Sequence, residues 1–313
     1  MKQYIVGAYA ASPSLNSWNP DLETRFMAAL REMPSIRGLE VPFYGTLHRH
    51  DEVHFLKNLR PEWDHVLTLI PGTMDQLKID PEFGLASNSA RGRKAALDFA
   101  ETARRELTRF NRRMGRRSFL AVEVHSAPTQ FPGTDRSSAD AFAKSLSEIA
   151  SWDWDGAMIL VEHCDAFVAG QTPAKGFLPL SAEVEIVRGL ASMPAPIGLL
   201  INWGRSAIEG RSTDRALEHV EFAKKSGVLK GLIFSGCADQ HPHHGGWQDS
   251  HAPFGSLLTP ARAAECMAAA GPSSLIALGF KMQPLPFETS LQDRINLIKE
   301  TLEIIDECAY QNH

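Results

Sequence analysis

Eight short runs of apolar, largely β-branched residues recur along the chain, and each is followed by a longer stretch whose apolar residues repeat every three to four positions. That alternation constrains the fold most, because it is the pattern of parallel strands crossed over by helices. The runs cover residues 4–8, 38–44, 65–70, 119–125, 157–162, 197–202, 231–235 and 275–281. Most lack clean alternation of apolar and polar residues, as strands covered on both faces should. The helical stretches carry start and stop signals. Asn19-Pro20 sets a cap before a first-position proline, and Ala96, Phe99, Ala100, Ala103, Leu107, Phe110 and Met114 form a stripe that ends at Gly115. A doubly wound open sheet is the other way to arrange such units. No G-x-G-x-x-G or G-x-x-x-x-G-K-[ST] follows any strand, so the phosphate cradles of that class are missing. The pattern therefore predicts one (β/α)8 TIM barrel over residues 1–313, with no linker.

Composition removes several classes of function. Lys plus Arg total 32 against 37 Asp plus Glu, a formal charge of -5, so nothing global attracts nucleic acid or an anionic membrane. No stretch approaches the roughly 20 apolar residues of a membrane span. Residues 1–11 lack the tripartite pattern of a signal peptide. Cys164, Cys237, Cys266 and Cys308 are far apart, which suggests neither a zinc knuckle nor a disulfide framework. A cytoplasmic protein without nucleic-acid or membrane partners is the expectation, with homo-oligomerisation left open. The basic stretch Arg91 to Arg117 reads as the solvated face of an amphipathic helix.

In a (β/α)8 barrel the chemistry lies at the carboxyl ends of the strands. Here those ends are polar: Glu40 on strand two, Glu123 and His125 on strand four, Glu162 on strand five, Asn202 and Arg205 after strand six, and Lys281 on strand eight. A single charged strand end is ordinarily a solvated rim residue, but five of eight strands ending this way point to a polar site. After strand seven, residues 237–255 form a His-rich loop containing His241, His243, His244, Trp247, Asp249 and His251. Imidazole with carboxylate suits zinc, manganese or iron, whereas the same loop with Gly245-Gly246 also serves as a plain polar lid. His48 lies close enough to strand two to reach the mouth.

Gly-Leu-Glu40-Val-Pro, Glu123-Val-His125, Ile-Leu-Val-Glu162 and Asp249-Ser-His251-Ala-Pro-Phe-Gly together resemble the xylose-isomerase-like barrel superfamily, which includes sugar isomerases, ketose 3-epimerases and endonuclease IV. The chain also resembles an uncharacterised bacterial family within it. The resemblance implies a divalent metal (Mn, Zn or Mg) held by Glu, Asp, His and Glu on strands five to eight. Only Glu162 matches; Asn202, Ser235 and Lys281 stand at the other positions, and a lysine repels a divalent ion. The metal is then either lost or moved to Glu162, Asp249 and His251, with His125 as a further ligand.

The expected activity is isomerisation or epimerisation of a sugar or keto sugar by proton transfer next to a carbonyl. Glu162 would be the base, His125 or Glu123 its acid partner, and Lys281 an electrophile or Schiff-base amine. Glu40, His48, Asn202, Trp203, Arg205 and Trp247 are the expected substrate contacts. Arg205 and Lys281 suggest an anionic sugar, and the two tryptophans are candidates for stacking on its ring. The alternatives are a lyase or hydrolase of oxidised glycosides and a non-catalytic sugar-binding barrel; a DNA-repair nuclease is disfavoured by the charge of -5.

Overall fold

A computed structural model describes residues 3–239 and 246–310. Eight parallel strands close into a barrel: β1 (Tyr4–Val6), β2 (Ile36–Pro42), β3 (His65–Thr68), β4 (Phe119–Val124), β5 (Met158–His163), β6 (Ile197–Asn202), β7 (Leu229–Phe234) and β10 (Ala277–Phe280). Around it run α1 (Pro20–Arg31), α2 (Glu52–Asn58), α3 (Ile70–Ile79), α4 (Ala90–Met114), α5 (Ala139–Ala150), α6 (Leu180–Gly189), α7 (Trp203–Gly210), α8 (Asp214–Lys225), α9 (Pro260–Ala270) and α10 (Leu291–Tyr310). The barrel is the expected (β/α)8 fold. Asn19 caps α1 by accepting from the Leu22 N–H, and α4 stops at Gly115 in the left-handed conformation (φ 67). Several arginines along α4 are ion-paired, as with Arg104 and Arg105 on Glu101.

One departure lies after β7. Where a loop was expected, β8 (Gly236–Ala238) and β9 (Gln248–Ala252) pair as an antiparallel hairpin. Asp249 and His251 thus sit on a strand; His241, His243 and His244 fall outside the described residues. The hairpin is tied to the barrel through the Gln283 N–H, which donates to the His251 carbonyl at 2.7 Å. His251 itself has a left-handed backbone (φ 48).

Two-residue alternation divides the strands between two environments. Ile5, Val66, Ala121, Leu160, Leu200, Ile233 and Ala277, from seven different strands, pack together inside the barrel. The intervening residues, among them Val122, Ile159, Val161, Leu199, Leu232 and Phe234, pack outward on the helices. Two positions further along several inward-facing registers stand Thr68, Glu123, Glu162, Asn202 and Ser235. The apolar plug therefore forms the floor, and the polar strand ends form the layer above it. Among the described residues no helix is long and apolar enough to cross a membrane, and the four cysteines are buried and form no disulfide.

Candidate active site

The polar layer is organised around Glu162. Lys281 Nζ donates to Glu40 Oε1 at 2.7 Å and to Glu162 Oε1 at 3.2 Å, with all three side chains shielded from solvent. Glu162 Oε1 also accepts from Asn202 Nδ2 at 2.9 Å, and Oε2 pairs with His125 Nε2 at 2.7 Å. Asn202 is oriented from outside this cluster: its Oδ1 caps α7 by accepting from the Gly204 N–H at 3.1 Å, which leaves its amide nitrogen facing Glu162. Glu123 is fully buried beside them, within hydrogen-bond reach of the Thr68 hydroxyl and of Glu40. Gly7 lets the cluster close, since a Cβ there would lie 2.4 Å from Lys281 Cβ and 2.9 Å from Glu40 Oε2.

Burial and charge separate the carboxylates into two kinds. Burial raises the Glu123 carboxyl well above its ordinary range, helped by the charges of Glu40 and Glu162, which favours its neutral acid form. Burial also raises Glu40, partly offset by Lys281. For Glu162 burial pushes up too, but Lys281, His125 and Arg205 outweigh it and hold the group well below the usual carboxylate range. Burial alone would discharge Lys281; the facing Glu162 and Glu40 instead hold it firmly as an ammonium. His125 is kept neutral by burial.

A second group lies at the rim. Arg205 Nη2 pairs with Asp249 Oδ2 at 2.6 Å, and Lys175 Nζ stands 3.6 Å from the same oxygen. The Arg205 Nε and Nη1 atoms are buried without partners. His251 Nδ1 pairs with Ser235 Oγ at 2.8 Å, its ring meets Tyr9 edge-on at 6.5 Å, and burial lowers it to about 4. A cavity of about 60 Å³ runs from Tyr9 and Glu40 past Tyr44 to His48 and His50. His48 thus shares a cavity wall with Glu40, as its position suggested.

Other expectations change. Trp203 is not a sugar-stacking residue: it is the first residue of α7, fully buried in the outer core. Trp247 is half-buried directly before β9, and its ring is covered by Arg211. Asp249 and His251 are poor metal ligands here, because Asp249 neutralises Arg205 and Lys175 while His251 is committed to Ser235. His125, Glu162 and Cys164 do bring ligand-type atoms within 4.8 Å of one another. Yet Glu162 already accepts from an ammonium and an amide, and a cation 3.2 Å from its oxygen opposes a divalent ion. The metal position implied by the superfamily therefore does not fit these residues. Tyr9, Thr68 and Lys175 also line these two groups, and none of them is a carboxylate, an imidazole or a charged residue at the end of an apolar run. Tyr9 follows the first apolar run directly and Thr68 lies within the third, so their positions in the chain were the available signal.

The comparisons with known proteins agree with this barrel. A family model described as a domain of unknown function, DUF4862, matches residues 5–297. The chain belongs to the DUF4862 family. A DUF4862 relative in sequence is the uncharacterized protein STM3670 of Salmonella typhimurium, 36% identical over 312 residues, covering 98% of this chain and 97% of that protein. Among solved structures, L-ribulose 3-epimerase matches with a TM-score of 0.64 at 13% identity, over 99% of this chain and 97% of that one. IolI protein with a binding zinc atom matches at 0.63 and 12% identity, over 98% and 99%. A xylose isomerase domain protein from Alicyclobacillus acidocaldarius matches at 0.53 and 13% identity, covering 99% of each chain. These structures place the DUF4862 chain in the xylose-isomerase-like TIM-barrel fold.

Proposed function

We propose that this DUF4862 protein is an isomerase or epimerase of a small anionic sugar or keto sugar, moving a proton next to a carbonyl without a metal at the barrel mouth. The observation that carries this reading is the Lys281 ammonium clamped between Glu40 and Glu162, with Glu40 among the residues that line the cavity. The buried ammonium would stabilise the negative charge that develops on an enediolate oxygen. Its clamped, charged state argues against Schiff-base chemistry, which needs a neutral amine.

The electrostatics also redistribute the roles expected from the sequence. Glu162 is held too acidic to be a good base and instead fixes Lys281, Asn202 and His125. Glu40, raised by burial and facing the cavity, is the better proton acceptor. In an isomerisation it takes the proton from one carbon and returns it to the neighbouring carbon, while the hydroxyl proton of the second carbon's oxygen passes to the former carbonyl oxygen through the enediol. Arg205, with two unpartnered nitrogens, supports an anionic substituent. The test is deuterium exchange across sugar phosphates, uronates and keto sugars, read by NMR in deuterated water. The wild type incorporates deuterium next to the carbonyl of a responsive sugar, and Glu40→Gln slows this by about 100-fold or more. Exchange at the wild-type rate in Glu40→Gln, or release of an aglycone without isomerised product, would overturn it.

A further inference from the structure

Outside the barrel wall, directly behind the mouth, lies a second polar cluster that the proposed reaction does not use. His163 follows Glu162 on β5, so alternation turns its ring outward toward the helices. There its Nε2 lies 3.0 Å from Glu209 Oε2 of α7, and His219 of α8 brings its own Nε2 to 3.5 Å from Glu209 Oε1. Both imidazoles thus aim the same nitrogen at one carboxylate. Each is fixed through its other nitrogen: His163 Nδ1 pairs with Glu183 Oε2 of α6 at 2.7 Å, and His219 Nδ1 with Ser206 Oγ at 3.0 Å. Glu183 is anchored in turn by the Ser126 hydroxyl at 2.6 Å, and Glu209 Oε2 accepts the Ala166 N–H at 2.8 Å. His163 and Glu183 are fully buried, while the Glu209 side chain keeps 14% of its exposure.

We infer that His163, His219 and Glu209 form a binding site for a transition-metal ion, zinc in preference, with the fourth position left to water. Three features carry this. The ligand atoms of the three residues already lie within 4.8 Å of one another. Ligands about 2.0–2.2 Å from a tetrahedral zinc stand about 3.3 Å apart, and the nitrogen–carboxylate separations of 3.0 and 3.5 Å bracket that spacing. An imidazole held by a carboxylate on its far nitrogen is in the orientation that metal-ligating histidines use. Against the effect of burial, Glu183 and Glu209 together raise His163 to about 10, so the ion would take the place of the proton that Nε2 shares with Glu209. Two imidazoles and one carboxylate are a borderline donor set that suits zinc or cobalt over magnesium or calcium. The ion would tie β5, α7 and α8 together on the outer side of the strand that carries Glu162.

The test uses the full chain, stripped with chelator and titrated with Zn²⁺ by calorimetry and with Co²⁺ by absorption. The expected result is uptake of one ion, a ligand-field band typical of tetrahedral cobalt, and a melting temperature that rises with Zn²⁺ concentration. Glu209→Gln and His219→Gln each weaken Zn²⁺ binding by about 100-fold or more, and Glu183→Gln by about 10- to 100-fold through the loss of ring orientation. Glu162→Gln and Lys281→Met at the mouth leave it unchanged, which separates this inference from the proposed activity. Uptake below one equivalent in the wild type, or equal uptake by a Glu209→Gln variant whose circular dichroism matches wild type, would overturn it. Should His219→Gln fail to fold, the part-exposed Glu209 supplies the deciding variant. Loss of uptake in Glu162→Gln would also overturn it, by placing the ion at the mouth.

Discussion

Replacing Lys281 with Met removes the one ammonium that touches both Glu40 and Glu162, and its cost can be worked from the surroundings. At 2.7 and 3.2 Å, with no solvent on any partner, the contacts are strong. An effective dielectric of about 20 gives each roughly 5–6 kcal/mol of attraction before desolvation is subtracted. The folded chain need not bear the whole loss, because the stranded carboxyls can take up protons. From the ordinary value of 4.5, protonating one carboxyl at pH 7 costs about 3.4 kcal/mol and at pH 5 about 0.7. The direction with pH follows. Without Lys281, burial raises both carboxyls in the folded state above their unfolded value, so the folded chain binds protons that the unfolded chain releases. Stability is then retained below pH 4.5 and lost as pH rises. Urea unfolding at pH 5, 6, 7 and 8 should show Lys281→Met less stable than wild type by about 3–5 kcal/mol at neutral pH, the range for breaking a buried pair, and by about 1–2 at pH 5. Lys281→Met with Glu40→Gln should recover part of the loss at pH 7, since one stranded charge is gone. A difference that stays flat from pH 5 to 8, or no difference, would refute the ion-pair account of the cluster.

Gly7→Ala places a methyl 2.4 Å from Lys281 Cβ, so turnover should fall by about 10-fold or more through displacement of the ammonium, while far-ultraviolet circular dichroism stays native. Gly38→Ala meets the Asp64 carbonyl oxygen at 1.5 Å in the β2–β3 backbone, and soluble yield and melting temperature should collapse. His65 is buried against Trp63, Phe110 and Phe119, and burial lowers it to about 4 from 6.5. The unfolded chain therefore takes up this proton first as pH falls from 6.5 to 4, removing up to about 3 kcal/mol; His65→Asn, which can still accept from the Leu39 N–H, should flatten that slope in pH-dependent melts. Restoring the superfamily's ligand types with Asn202→Asp and Lys281→Glu should create Mn²⁺ uptake at the mouth above that of the wild type, measured side by side by calorimetry.

How far the site was legible follows from which signals are local. The barrel was readable because each strand is a continuous apolar run, and the polar layer because Glu123, Glu162, Asn202 and Lys281 end such runs. What was not readable depends on partners distant in sequence. Lys281 meets Glu40 across 241 positions, and that contact decides between an ammonium and a free amine. Asn202 reads as an eroded aspartate until its second duty, capping α7, shows that an amide is what lets one side chain accept from Gly204 and donate to Glu162. Trp203 follows it directly but turns into the outer core, where the apolar character of a ring decides its place and proximity to a strand end does not. The same alternation assigns Glu162 and His163, neighbours in the chain, to opposite faces of one strand. One joins the charged mouth and the other the cluster with Glu209 and His219 behind it. The two networks meet only through the backbone of β5, so Glu162→Gln should alter proton exchange and leave Zn²⁺ uptake intact, while His163→Gln should abolish uptake and leave exchange intact. Loss of Zn²⁺ uptake in Glu162→Gln would refute the assignment of the two residues to separate networks.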